Sequence, residues 1–89
     1  MIKVKFPSVF TQITKERKVE VENVKTVKEL LDKLFERYPQ LKERLIKDGE
    51  VTPFINIFVN GEDIRHLKGL DTELKDGDEV TFIPAISGG

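Results

Sequence analysis

The chain has no cysteine, a single histidine, no hydrophobic run of membrane-spanning length and no excess of either charge. Without cysteine there is no disulfide framework, no thiolate metal site and no cysteine nucleophile. His66 has only Glu62 and Asp63 as acidic neighbours, in an irregular stretch, so a plain loop histidine is the simpler reading than a metal ligand or general base. No apolar run approaches the ~18 residues that a membrane span needs, and no signal-peptide core opens the chain. The expected compartment is the cytoplasm, with no membrane partner. Lys and Arg together number 15 against 16 Asp and Glu, a net charge of −1. Nucleic-acid binders carry a basic excess, so nucleic acid is not an expected partner. At 89 residues the chain makes one domain. Folding then buries about 60–65% of the unfolded surface, enough for one modest core but not for a deep enclosed active site.

What is present is strong patterning. From Met1 to Phe6, Ile2, Val4 and Phe6 fall on one face and Lys3 and Lys5 on the other, the period of a half-buried strand. Pro7 to Thr14 reads as a connection, and Lys18 to Glu22 alternates again, so an antiparallel hairpin is expected. Thr26-Val27-Lys28-Glu29 is a capping box. Behind it, Val27, Leu30, Leu31, Leu34, Phe35 and Tyr38 share one helical stripe, which Pro39 ends near Tyr38. Residues 41–46 suggest a short second helix closed by Gly49. Phe54 to Val59 is the strongest strand and runs into the tight-turn pair Asn60-Gly61. Residues 62–75 look irregular, with Leu70 and Leu74 as core anchors. A turn at Asp76-Gly77-Asp78 then leads to a last strand, Glu79 to Ile83, which Pro84 terminates.

The order strand, strand, helix, strand, strand predicts an α+β domain with one main helix on a mixed sheet. That order and size match the ubiquitin-like β-grasp, whose first and last strands lie side by side and parallel in the sheet centre. The expected division is 1–85 for the β-grasp domain and 86–89 for a flexible tail. Strand alternation sends Ile55, Ile57, Val59, Val80 and Phe82 inward and Phe54, Phe58 and Ile83 outward. An outward apolar patch of that kind marks a partner interface, unless residues 39–53 cover it or the register is reversed. Asp76 and Asp78 are explained by turn geometry, and Glu62-Asp63 gives no paired catalytic carboxylates.

The chain ends in Ile86-Ser87-Gly88-Gly89. Glycine supplies about 7% of average sequence, so a pair at a given place is roughly a 0.5% coincidence. Bare backbone can lie extended in a narrow slot and approach a phosphate closely. A carboxylate there becomes a usable electrophile once ATP converts it to an acyl-adenylate.

The turn Asp76-Gly77-Asp78-Glu79-Val80, the element Phe58-Val59-Asn60-Gly61 and the ending Pro84-Ala85-Ile86-Ser87-Gly88-Gly89 resemble the ubiquitin-like sulfur carriers of the ThiS/MoaD type. Within that group, residues 54–65 and the Pro-Ala-x-x-Gly-Gly end look most like the CysO-type carriers of cysteine biosynthesis. The stretch 39–53 is longer than in the shortest members. The resemblance implies a carrier or substrate protein rather than an enzyme, though one able to serve as the small subunit of a sulfur-transfer complex. An E1-like enzyme would adenylate Gly89, and a sulfur donor would leave a C-terminal thiocarboxylate there. Ile86, Ser87 and Gly88 would thread the enzyme's channel, and Phe54, Phe58 and Ile83 would form the partner interface. The implied acceptors are a molybdopterin synthase large subunit, thiazole synthase or a cysteine synthase-like enzyme. No permanent cofactor or metal is implied, since ATP belongs to the activating enzyme. A second implied role is protein modification, with Gly89 joined to lysines of target proteins.

Overall fold

In the computed structural model, which describes residues 1–85, the strands form one sheet of five in the order β2-β1-β7-β5-β6. Strand β1 (Ile2–Lys5) pairs antiparallel with β2 (Lys18–Val21) and parallel with β7 (Glu79–Pro84). Strand β5 (Ile55–Val59) runs antiparallel to both β7 and the short β6 (Glu62–Asp63). The first and last strands therefore lie side by side in the centre, as the element order led us to expect. The fold is the ubiquitin-like β-grasp, an α+β architecture with a mixed sheet.

Helix α2 (Val27–Arg37) crosses the inner face of the sheet. Its start is fixed by the capping box: the Glu29 N–H donates to Thr26 Oγ1 at 3.2 Å, and the Glu29 carboxylate accepts from the Lys25 N–H at 2.7 Å. One donor that a helix start would leave unpaired, the Glu29 N–H, is thereby satisfied, and so is the Lys25 N–H just before the cap. Val27, Leu30, Leu31 and Leu34 are buried, while Phe35 and Tyr38 are partly buried at the margin of the stripe. Opposite them, Val4, Val80 and Phe82 close the core from the sheet side. Phe6 stacks on Phe82 at 5.8 Å and meets the Tyr38 ring edge-on at 6.1 Å.

Two regions differ from the sequence reading. The connection after β1 is a helix, α1 (Ser8–Thr14), which tucks Phe10 against Phe82 at 6.5 Å. Its C-cap is Lys15 at φ 65°, a left-handed conformation usually given to glycine, so the usual stop signal is missing from the sequence. The expected helix at 41–46 is α3 (Pro39–Leu45), with Pro39 in its first turn, where the missing N–H costs nothing. One residue thus ends α2 and opens α3. Ile46 leaves the helix to begin a small hairpin, β3 (Ile46–Lys47) and β4 (Glu50–Val51), turned by Asp48 and Gly49 at positive φ. Residues 62–75 are irregular apart from β6 and two 3₁₀ turns (Ile64–His66 and Gly69–Asp71), with Leu74 buried and Leu70 partly so. Thr72 accepts the Val27 N–H and Lys25 accepts the Leu74 N–H, which straps this segment to the start of α2. No helix among the described residues is long and apolar enough to cross a membrane.

Candidate functional site

The candidate site is the outer face of the sheet at the end where β7 leads out to Ala85. Strand alternation sorts β5 and β7 cleanly. Ile57, Val59, Val80 and Phe82 are buried, and Ile55 packs against the core at its edge. On the other face Phe54 is 53% exposed and Ile83 is 42% exposed, with Phe58 partly buried between the strands. The register was thus legible in the sequence. Ile83 pairs with Asn56, and Phe58 with Thr81, so the apolar groups share one surface. The stretch 39–53 does not cover them: its Leu41 and Leu45 are fully buried in the core on the opposite side. Phe54 also anchors the last described residue, because its C=O accepts the Ala85 N–H at 2.8 Å. The apolar patch and the departure point of the chain end are adjacent.

Ile86, Ser87, Gly88 and Gly89, the expected reactive tail, lie outside the described residues, as does the expectation that 86–89 form a flexible segment. Pro84 ends β7 as expected, standing as the strand's last residue and paired with Ile55. At that position its missing N–H interrupts nothing further along the ladder.

One edge of the patch is built by residues whose roles the sequence did not reveal. Arg65 reaches back across β5 and β6, its Nη2 donating to Asp63 Oδ2 at 2.6 Å and to Asn56 Oδ1 at 2.9 Å. The Arg65 Nε and backbone N–H also donate to the Asp63 carboxylate. Side-chain hydrogen bonds from Arg65, then its backbone N–H and its charge, lower the Asp63 pKa from 3.8 to about 2. The same partnership raises the pKa of Arg65. The Asp63 side chain is buried, and Arg65, held by Asp63 and Asn56, borders the patch. Only the tertiary pairing of β5 with β6 brings Asn56 near Arg65, so no linear spacing could have shown it. His66 is exposed in the same 3₁₀ turn. Among the described residues no group of three or more His, Asp and Glu could hold a metal ion.

At the far end of β7 the Asp76–Asp78 turn is structural, as read. Asp78 accepts the Lys75 N–H at 2.8 Å and the Asn60 Nδ2 at 2.9 Å, and the Glu79 N–H donates to Asn60 Oδ1 at 3.0 Å. Asn60 at φ 51° and Gly61 at φ 87° make the turn that the Asn-Gly pair announced. The Asn60 side chain also locks that turn to the next one. A shallow concavity between β2 and α2, lined by Glu20, Glu22, Lys33, Glu36 and Arg37, carries mixed charge at the β2 edge of the sheet, away from Phe54.

Known proteins are similar to this chain in sequence and fold. The chain is 36% identical to small archaeal modifier protein 3 of Haloferax volcanii, covering 99% of this chain and 98% of that protein. It is 40% identical to the sulfur carrier protein CysO of Mycobacterium tuberculosis over 72% of each. A chain of the crystal structure of the Amycolatopsis orientalis BexX/CysO complex superposes with a TM-score of 0.90, at 39% identity and with both chains covered in full. Residues 4–89, which include the patch, the Asp76–Asp78 turn and both terminal glycines, match the ThiS family, and to that family the chain belongs.

Proposed function

We propose that this protein is a ubiquitin-like sulfur carrier whose working group is the carboxylate of Gly89. The observation that carries the reading is the exposed patch of Phe54 and Ile83 beside the point where β7 leads toward the Gly-Gly pair. A carrier of this kind needs a rigid body that docks and an end that reaches, and the two are contiguous here. Family membership and the similarity to CysO support the sulfur chemistry over other uses of the fold, which by itself serves many functions.

In this reading an E1-like enzyme docks on the outer face and takes Ile86 to Gly89 into a narrow channel. A carboxylate oxygen of Gly89 attacks the α-phosphorus of ATP and pyrophosphate leaves. Hydrosulfide, or a donor delivering its equivalent, adds to the acyl carbon and AMP departs, leaving the thiocarboxylate. An acceptor enzyme then takes the sulfur, and water restores the carboxylate. The acceptor is of molybdopterin synthase, thiazole synthase or cysteine synthase type. The protein is a substrate and carrier in these steps, located in the cytoplasm, and ATP is bound by its partner. Gly88 is required because a Cβ would widen a strand that must pass through a slot shaped for backbone.

The test is ATP–pyrophosphate exchange with the activating enzyme of the same source. Deleting Gly89, or making Gly88→Val, abolishes exchange and leaves the thermal midpoint unchanged. Exchange that persists in both variants removes the terminal carboxylate from the chemistry.

A second reading is favoured by the similarity to small archaeal modifier protein 3 along nearly the full length of both chains. There a lysine ε-amine of a target protein attacks the acyl carbon of the same adenylate, AMP departs, and an isopeptide bond at Gly89 takes the place of the thiocarboxylate. Protein adducts in place of free thiocarboxylate after incubation with ATP and a cell extract would favour it.

A further inference from the structure

The outer face of the sheet carries its charges in two rows with opposite habits. In the row farther from Ala85, Lys3 stands opposite Glu20 on β2 and Glu79 on β7. Signs alternate across the strands, and with one cation between two anions the row carries a net charge of −1. In the next outward row, nearer Ala85, Lys5 stands opposite Lys18 on β2 and Thr81 on β7, and Thr81 stands opposite Phe58 on β5. Two cations face each other directly and no anion belongs to the row. Lys5 turns to the neighbouring row and pairs with Glu79 at 3.3 Å. Among the described residues no ion pair reaches Lys18. Like charges directly opposite on antiparallel strands destabilise a sheet, so this pairing works against the isolated domain.

We propose that Lys5 and Lys18 form the cationic flank of the docking surface and face carboxylates on the enzyme whose channel receives the tail. The proposal rests on the reading that this enzyme docks on the outer face. Neighbouring strands lie about 4.8 Å apart, so Lys18 and Phe58 sit about 14 Å apart along one continuous row. The complementary surface therefore has an apolar depression for Phe54 and Ile83, with aspartate or glutamate side chains displaced to one side of it. The net anionic row of Glu20, Lys3 and Glu79 bounds this field, which confines the positive charge to the end of the sheet nearest Ala85. Such a flank orients the encounter and speeds association more than it slows release. Exposed charges of this kind are screened by salt.

The experiment uses Lys18→Glu in the full chain with the ATP-dependent activating enzyme of the same source, and measures association rates at low and high salt. In the isolated protein the substitution replaces a repulsion with an attraction to Lys5, so the thermal midpoint rises by about 2–4 °C. Against the enzyme, association slows about tenfold at low salt, and the deficit shrinks as salt is added. Lys18→Gln gives a smaller change in the same directions. Phe54→Asp is measured beside them: if it binds normally, docking on the outer face is wrong. If Phe54→Asp fails to bind while Lys18→Glu associates like the native protein at every salt concentration, the cationic flank alone is overturned. A lowered midpoint in Lys18→Glu also overturns it, because Lys18 would then be serving the fold.

Discussion

The inner and outer faces of β5 and β7 both carry phenylalanine and isoleucine, yet only one of them is closed. Ile57, Val59, Val80 and Phe82 meet α2 across a dense core, while Phe54 and Ile83, set on the opposite face by the two-residue period, stay about half exposed. Folding alone accounts for the first set. The second set adds little to stability and leaves apolar area in water, which a small domain keeps where a partner covers it. Local chemistry is therefore a poor guide to role here, and what covers a side chain is a good one.

The largest effect should come from opening the closed face. Phe82→Ala removes a ring that Phe6 stacks on and Phe10 meets edge-on, and should cost about 3–5 kcal/mol in denaturant unfolding. A loss near 1 kcal/mol would mean that the core tolerates the gap and that the faces differ less than burial implies. Phe54→Asp should behave in the opposite way. Stability should change by no more than about 0.5 kcal/mol, whereas affinity for the activating enzyme should fall by about 2 kcal/mol, roughly 30-fold. Core-sized destabilisation by Phe54→Asp would erase the distinction between the faces.

Much of that distinction was legible in the sequence because it depends on period alone. Alternation in residues 54–59 and 79–83 places each side chain without knowledge of the fold, and the helical stripe from Val27 to Tyr38 names the covering element. The capping box at Thr26 was equally plain, and Thr26→Ala should cost about 1 kcal/mol in thermal unfolding, with the helix otherwise kept. Illegible features were those set by tertiary contact. Helix α1 is too short for periodicity to show, its Phe10 is held by Phe82, and its end is capped by a lysine rather than a glycine. The β3–β4 hairpin has too few residues to alternate. Arg65, Asp63 and Asn56 meet only because β6 folds back on β5. Lys5 and Lys18 face each other only once the hairpin register is known.

The smallest predicted effect contrasts the two cationic edges of the open face. Arg65 is satisfied within the chain, so its partner Asp63 should report on folding. Its carboxylate has a folded pKa of about 2 against an ordinary 3.8, so the pair's contribution is complete above roughly pH 4. That contribution is lost as pH falls through 2, below which the carboxylate is protonated in both states. Asp63→Asn should therefore lower stability slightly at neutral pH and flatten the pH dependence between about 4 and 2, measured by thermal midpoint. An unchanged profile would mean that the pair is too exposed to matter, and the Arg65 edge would then resemble the Lys18 edge.

Whether the open face and the glycine end work together as a sulfur carrier is decided by the intact mass of the protein. The native chain is incubated with its E1-like enzyme, ATP and sulfide. The mass should rise by the difference between one sulfur and one oxygen, the Gly89 deletion should remain at its starting mass, and Phe54→Asp should convert far more slowly than the native chain. A native protein that keeps its carboxylate mass under conditions where the enzyme is active would contradict the carrier assignment.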